Sequence, residues 1–272
     1  MQDSAANTEL WDLQKPTVMS RSRLFHLEPI GIGTIFVESL SGYIVRLANY
    51  HCVTVRQLII REIVPLMWQK GFPTFRWRSR INQLFKPDSS LIKNNEVRGI
   101  LAETLIQSLE ELTLRQDLRD LSLLREAASI INDRHMRKYH AWCPRCLEEW
   151  RQSERVIFMP LIWLVEALGV CPQHRHQQLI SNCPSCQRQF SVITARLYLG
   201  FCPNCHSWLG SYSQFSNSQE TDSLIEWTNL MRDPLEHQLS WIDNYKELLY
   251  QAQIHFLPPK VTTLRSTHEP SQ

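Results

Sequence analysis

Apolar residues recur at helical spacing in two short runs near the N-terminus. Tyr43, Ile44, Leu47, Ala48 and Tyr50 fall on three- and four-residue steps behind Ser41, which is suited to cap a helix. Cys52-Val53 interrupts the run, with Cys52 read as a small packed hydrophobe in the turn. Thr54 offers a second cap, and 55–63 predicts a further helix ending near Pro65. Two short helices across a tight turn describe a helix-turn-helix. Before them, 24–38 alternates poorly, carries Gly31 and Gly33, and reads as an extended lead-in. Farther on, Leu101, Leu105, Leu109, Leu112, Leu121 and Leu124 predict a scaffold helix pair over 94–131. After a Ser/Gln-rich linker at 211–218, two more helices are expected over 221–232 and 235–256, broken at Pro234, with Trp227 and Trp241 in a core. Pro258-Pro259 ends that segment.

Between these helical regions the pattern changes. Seven of the eight cysteines lie between positions 143 and 205, and they fall into one repeated motif, C-P-x-[CH]. The copies are Cys143-Pro144-Arg145-Cys146, Cys171-Pro172-Gln173-His174, Cys183-Pro184-Ser185-Cys186 and Cys202-Pro203-Asn204-Cys205. Proline after the first ligand fixes φ and holds a tight turn that aims two side chains at one ion. Paired in order, Cys143, Cys146, Cys171 and His174 form a Cys₃His set, and Cys183, Cys186, Cys202 and Cys205 a Cys₄ set. Thiolate-rich tetrahedral sets select zinc, so two structural Zn²⁺ ions are expected. An interleaved pairing of the first and third motifs is the alternative. His176 rivals His174, which completes the repeated spacing. With eight protein donors, neither ion keeps a position for water, and no H-E-x-x-H occurs. His26-Leu27-Glu28 supplies half of a deaminase signature, but none of the paired cysteines follows a proline. The expectation is therefore no enzyme.

The whole chain of 272 residues is 43% hydrophobic and 21% charged, which excludes a mainly disordered protein. Its net charge of +2 does not by itself mark a nucleic-acid binder. Local charge is more informative. Lys70, Arg76, Arg78, Arg80 and Lys86 sit among aromatics with no acid from 69 to 87. Arg134, Arg137 and Lys138 form a second basic stretch leading into the first cysteine motif, and 167–219 carries no acid at all. These stretches are candidate nucleic-acid or partner contacts. No run is apolar enough to span a membrane and the N-terminus lacks a secretory core, so a cytoplasmic protein is expected. The fold expected is mainly α with small zinc-ribbon β elements. Its parts are a flexible N-terminus (1–22), a helix-turn-helix and helical domain (23–133), zinc module 1 (134–180), zinc ribbon 2 (181–210), a C-terminal helical segment (211–257) and a flexible tail (258–272).

Glu38-Ser39-Leu40-Ser41 leading into Ile44-Val45-Arg46-Leu47-Ala48, then Tyr139, Cys143-Pro144-Arg145-Cys146-Leu147, Trp163, Val170-Cys171-Pro172-Gln173-His174, Leu179, Cys183, Cys186, Cys202 and Cys205, resembles the TniQ/TnsD family of transposition proteins. The resemblance spans roughly 24–210; Gln187 and His206 stand where the family often has glycine. It implies a target-site selector that does no chemistry and engages the AAA+ ATPase TnsC. With about 60 residues after the last motif, the chain looks like the short TniQ kind. That kind attaches the transposition machinery to a CRISPR effector complex, either Cascade-like or a single effector with guide RNA. Target DNA and a possible homodimer are further expected partners. The alternatives are a TnsD-like sequence-specific DNA-binding selector and a zinc-ribbon transcription factor.

Overall fold

The structure, a computed structural model, describes residues 21–71, 96–122, 137–166, 168–174 and 177–210, with only the backbone described in 96–101. Arg76, Arg78, Arg80, Lys86, Arg134, His176, the rest of the 94–131 helix pair and the predicted helices at 221–232 and 235–256 lie outside the described residues. What is described is mostly helical. Among the described residues, strand pairing is confined to isolated antiparallel bridges, so the expected ribbon β elements shrink to single rungs.

Helix α1 (Leu40–Tyr50) starts two residues earlier than the pattern predicts. Ser39, not Ser41, is its cap: the Ser39 hydroxyl accepts from the Gly42 N–H at 3.1 Å. Residues 40–48 are buried all round, so the Ser41 hydroxyl finds its partner in Ser39 inside the core. The helix ends in a left-handed residue. Cys52 has φ 53, the Cys52 N–H donates to Asn49 O and the Val53 N–H donates to Ala48 O. These are the paired bonds of a Schellman cap, whose left-handed position favours glycine. Cys52 is therefore exposed at a helix stop, not packed as a small hydrophobe.

Helix α2 (Val55–Leu58) opens on a capping box, with Thr54 Oγ1 accepting from the Gln57 N–H and Gln57 Oε1 accepting from the Thr54 N–H. The helix does not stop at Pro65. It widens into a π-helical turn (Ile59–Ile63) and continues as α3 (Val64–Gln69), with Pro65 in the first turn of α3. Proline lacks an N–H and clashes with the carbonyl four residues back, and a wider turn just before it relieves both.

Helix α4 (Glu96–Thr113) packs Leu105, Ile106, Leu109 and Leu112 into the core and ends before Leu114, at φ 55. A 3₁₀ turn (Leu118–Leu121) follows where the second scaffold helix was expected to begin. The lead-in is pinned to the helices: the Leu24 N–H donates to Leu112 O, His26 Nδ1–H to Thr113 O and the Tyr43 hydroxyl to Leu27 O.

Two charged residues of the N-terminal pattern, Glu38 and Arg46, meet inside the protein. Arg46 donates from Nε to Glu38 Oε1 at 2.8 Å and from Nη2 to Glu38 Oε2 at 2.6 Å, with a further bond to Glu28 O. Burial, partly offset by Arg46, raises the Glu38 pKa.

The helical and cysteine-rich regions share one hydrophobic cluster running from Leu24 to Leu209. Their seam is a short antiparallel bridge between Glu38 and Pro160, flanked by bonds from the Ser39 N–H to Met159 O and the Leu161 N–H to Val37 O. A side chain on Gly42 would meet Met159 Cβ at 2.9 Å, so glycine permits this approach. No helix among the described residues is long and apolar enough to cross a membrane.

Candidate metal centres

The first cysteine motif does more than make a turn. Cys143 is the N-cap of helix α5 (Pro144–Gln152), and its sulfur accepts from the Cys146 N–H at 3.5 Å. Pro144 fills the first helical position, where its missing N–H is not needed. The second motif, Cys171 to His174, is closed by the Gln177 N–H on His174 O and the Cys171 N–H on Gln177 O. These two turns bring Cys143, Cys146, Cys171 and His174 together, and Cys183, Cys186, Cys202 and Cys205 gather likewise, all donor atoms of each set within 4.8 Å of one another. The in-order pairing is thus the one the fold makes; the interleaved alternative is not.

The spacing matches a tetrahedral ion. Zn–S bonds of about 2.3 Å and a Zn–N bond of about 2.0 Å place S···S edges at about 3.8 Å and S···N edges at about 3.5 Å. Cys146 and Cys171 sulfurs lie 3.5 Å apart, and His174 Nδ1 lies 3.4 Å from Cys143 Sγ and 3.3 Å from Cys146 Sγ. In the second set Cys183–Cys205 is 3.6 Å and Cys186–Cys202 is 3.7 Å. These separations are far too long for disulfides, and all eight cysteines are free.

Crowded thiols respond electrostatically. Hydrogen bonds from Cys143 and then Cys146 pull the Cys171 thiol down to about 2, while hydrogen bonding to Cys143 and Cys171, with burial, pushes Cys146 up. A cation held among these buried sulfurs would displace their protons and satisfy their lone pairs at once. In the second set the Ser207 hydroxyl, 3.4 Å from Cys205 Sγ, draws that thiol down to about 6.

The two motifs of the second set are near copies. The Gln187 N–H donates to Cys183 O and the His206 N–H to Cys202 O, while the Cys183 and Cys202 N–H groups donate to Arg188 O and Ser207 O. Gln187 and His206 have φ 57 and 59. That left-handed geometry explains a preference for glycine there, and this chain holds it with longer side chains.

One site residue escapes the sequence pattern altogether. His174 Nε2, turned away from the sulfurs, donates to Glu149 Oε1 at 2.7 Å, and Gln173 Nε2 donates to the other Glu149 oxygen at 3.3 Å. The carboxylate orients the imidazole so that Nδ1 faces the sulfurs. Glu149 sits three residues past Cys146 on α5, hence on the same helical face. The signal was present in the spacing, but only for a reader who continued the first motif into a helix.

The candidate contact cations are placed unevenly. Lys70 donates to Glu111 Oε2 at 2.7 Å, so an acid from α4 answers it despite the acid-free sequence around it. Arg137 is half-buried and donates to the Leu168 and Glu166 carbonyls, and Lys138 is exposed. Near them His140 is fully buried, and burial depresses it to about 3.

The TniQ family model matches residues 29–177, from the lead-in through the whole Cys₃His cluster, and leaves the Cys₄ cluster beyond its end. No curated protein matches the chain.

Proposed function

The chain belongs to the TniQ family, and on that premise we propose that this transposition protein acts as a target-selection adaptor in Tn7-like, CRISPR RNA-guided DNA transposition. In this reading it links a guide-RNA effector complex, and the target DNA that complex opens, to the AAA+ regulator TnsC, and it catalyses nothing. The observation that carries the reading is the family match over 29–177, which takes in the whole Cys₃His donor set. Cys143, Cys146, Cys171 and His174 would hold one zinc ion and Cys183, Cys186, Cys202 and Cys205 the other. The ions supply folding energy, on the order of 10 kcal/mol each, to a region with little regular secondary structure. Four protein donors complete each tetrahedron, which suits support rather than water activation.

A rigid body with separate faces raises the local concentration of one partner at the other. The test is co-purification of the zinc-loaded chain with a TnsC-type ATPase in the presence of ATP, and separately with an effector complex. Association with both is expected; association with neither under any nucleotide condition overturns the adaptor reading. The TnsD-like alternative draws on the pair α1 and α2 across the Cys52 turn. It requires a footprint on one defined duplex, and sequence-blind binding would dismiss it.

A further inference from the structure

The two cysteine sets differ in what covers them. Cys143, Cys146 and Cys171 are each 0% exposed. In the second set Cys183 and Cys202 are equally buried, Cys186 is half-buried and Cys205 is exposed. Asn204 and His206, on either side of Cys205, are exposed as well, so its own turn does not shield it. Backbone bonds hold the turn in that attitude: the His206 N–H donates to Cys202 O, and the Cys202 N–H donates to Ser207 O.

Zinc has no redox chemistry of its own, so an oxidant that reaches either centre acts on sulfur. Access decides which sulfur it meets. The Cys₃His set presents no exposed sulfur, whereas the Cys₄ set presents Cys205. A second sulfur lies within reach of it. Cys183 Sγ is 3.6 Å from Cys205 Sγ, about 1.6 Å beyond a disulfide bond.

We propose that the Cys₄ set releases its zinc in response to peroxide: Cys205 is oxidised first, Cys183 closes a disulfide on it, and the Cys₃His set keeps its own ion. In the first step the Cys205 thiolate attacks one oxygen of hydrogen peroxide. An S–O bond forms, the O–O bond breaks and hydroxide departs, leaving a sulfenic acid. The Cys183 thiolate then attacks the Cys205 sulfur. The S–S bond forms, the S–O bond breaks and a second hydroxide departs. Two thiolates give up two electrons in all, the peroxide takes them, and two protons from solvent turn the hydroxides into water. Cys186 and Cys202 remain, too few donors for a closed structural site, and the ion leaves. A dithiol reductant returns the two electrons and restores the ligands. The Phe201–Trp208 rung, at the base of the turn, loses its metal anchor, while the part matched by the family model retains the Cys₃His ion.

The inference rests on the zinc reading of the Cys₄ set, and metal content before oxidation tests that reading separately. The experiment uses the zinc-loaded full chain carrying Cys52→Gly, which removes the exposed cysteine outside the two sets. Hydrogen peroxide is added, released zinc is followed with a chromogenic chelator, and thiols are alkylated before peptide mass spectrometry with fragmentation. One ion of the two is expected to leave, with a Cys183–Cys205 bridge formed and Cys143, Cys146 and Cys171 recovered as thiols. Dithiothreitol with added zinc should restore the second ion. Cys205→His keeps four donors in the spacing this chain already uses at Cys171 to His174, and should slow release by on the order of tenfold. If that variant does not bind two ions, the bridge found in the Cys52→Gly chain decides the matter. A Cys₄ set without zinc at the start overturns the zinc reading and this inference together. Two ions at the start with neither released, both released, or a bridge that omits Cys205 or Cys183 overturns the inference alone.

Discussion

Replacing Arg46 with methionine removes the only cation facing Glu38 within hydrogen-bond distance among the described residues. The side chains of Glu38 and Arg46 are 0% and 5% exposed, so water cannot readily take the lost partner's place. Three bonds vanish, two to the Glu38 carboxylate and one to Glu28 O; only the Ile30 N–H, at 3.3 Å, still reaches Glu38. Charge-assisted bonds contribute about 1.5–3 kcal/mol each, but protonation of the stranded acid recovers part of the loss, so a net cost of about 3–5 kcal/mol is expected. The pH dependence has a definite sign. Burial already raises the Glu38 pKa with Arg46 present, and without it the folded pKa rises further. The folded variant then binds a proton that the unfolded chain, at about 4.3, does not. Its deficit relative to the parent is fully expressed above the raised folded pKa and shrinks as pH falls through it. Urea unfolding of zinc-loaded protein, followed by tryptophan fluorescence at about pH 8 and about pH 6, reads both quantities. The double variant Glu38→Met/Arg46→Met should recover most of the loss, because an apolar pair leaves no buried charge. A cost below about 1 kcal/mol, or a deficit that ignores pH, would refute the claim that this ion pair is dry and coupled.

Glu149→Ala should leave the fold intact but weaken zinc at the Cys₃His set about 10- to 100-fold, read by chelator competition with the Cys₄ set as internal reference. Cys202→Ser should lower bound metal from two ions toward one, read by elemental analysis; unchanged stoichiometry would discard the second ligand set. Cys52→Gly should stabilise the protein by about 0.5–1 kcal/mol in thermal unfolding, since φ 53 is strained for cysteine and ordinary for glycine. His140 is neutral when folded, its pKa held at about 3 by burial, and titrates near about 6.5 when unfolded. Its contribution is intact above about 6.5 and is lost as pH falls toward 3. Replacing it with phenylalanine should therefore flatten the acid side of the parent's pH–stability curve.

The residues most legible in the sequence were those whose role is local. C-P-x-[CH] encodes a turn and its ligands together, and each set assembles as the spacing implies. Thr54 and Gln57 announce a cap within one helical turn. Features decided by distant packing were not legible. Glu149 becomes a site residue only because α5 grows out of a ligand turn and the Cys171 motif returns 25 residues later. Pro65 reads as a stop until the π turn before it is seen. Arg137 belongs to a basic run in sequence, yet the Leu168 carbonyl, beyond helix α5, claims its guanidinium. Glu38 and Arg46 are visible as letters of a pattern, but their burial together depends on the seam with 159–161.

That seam also sets the order in which the molecule can be made. Ser39 and Met159 bond across roughly 120 residues of chain, a separation that slows folding because a long loop must close before any contact rewards it. During synthesis, α1 emerges from the ribosome long before the backbone it leans on exists. The elements up to 121 can pack on α1 first, but the edge at 37–39 stays open until 159–161 follows, and an open backbone edge on a nascent chain is a place for chaperones to act.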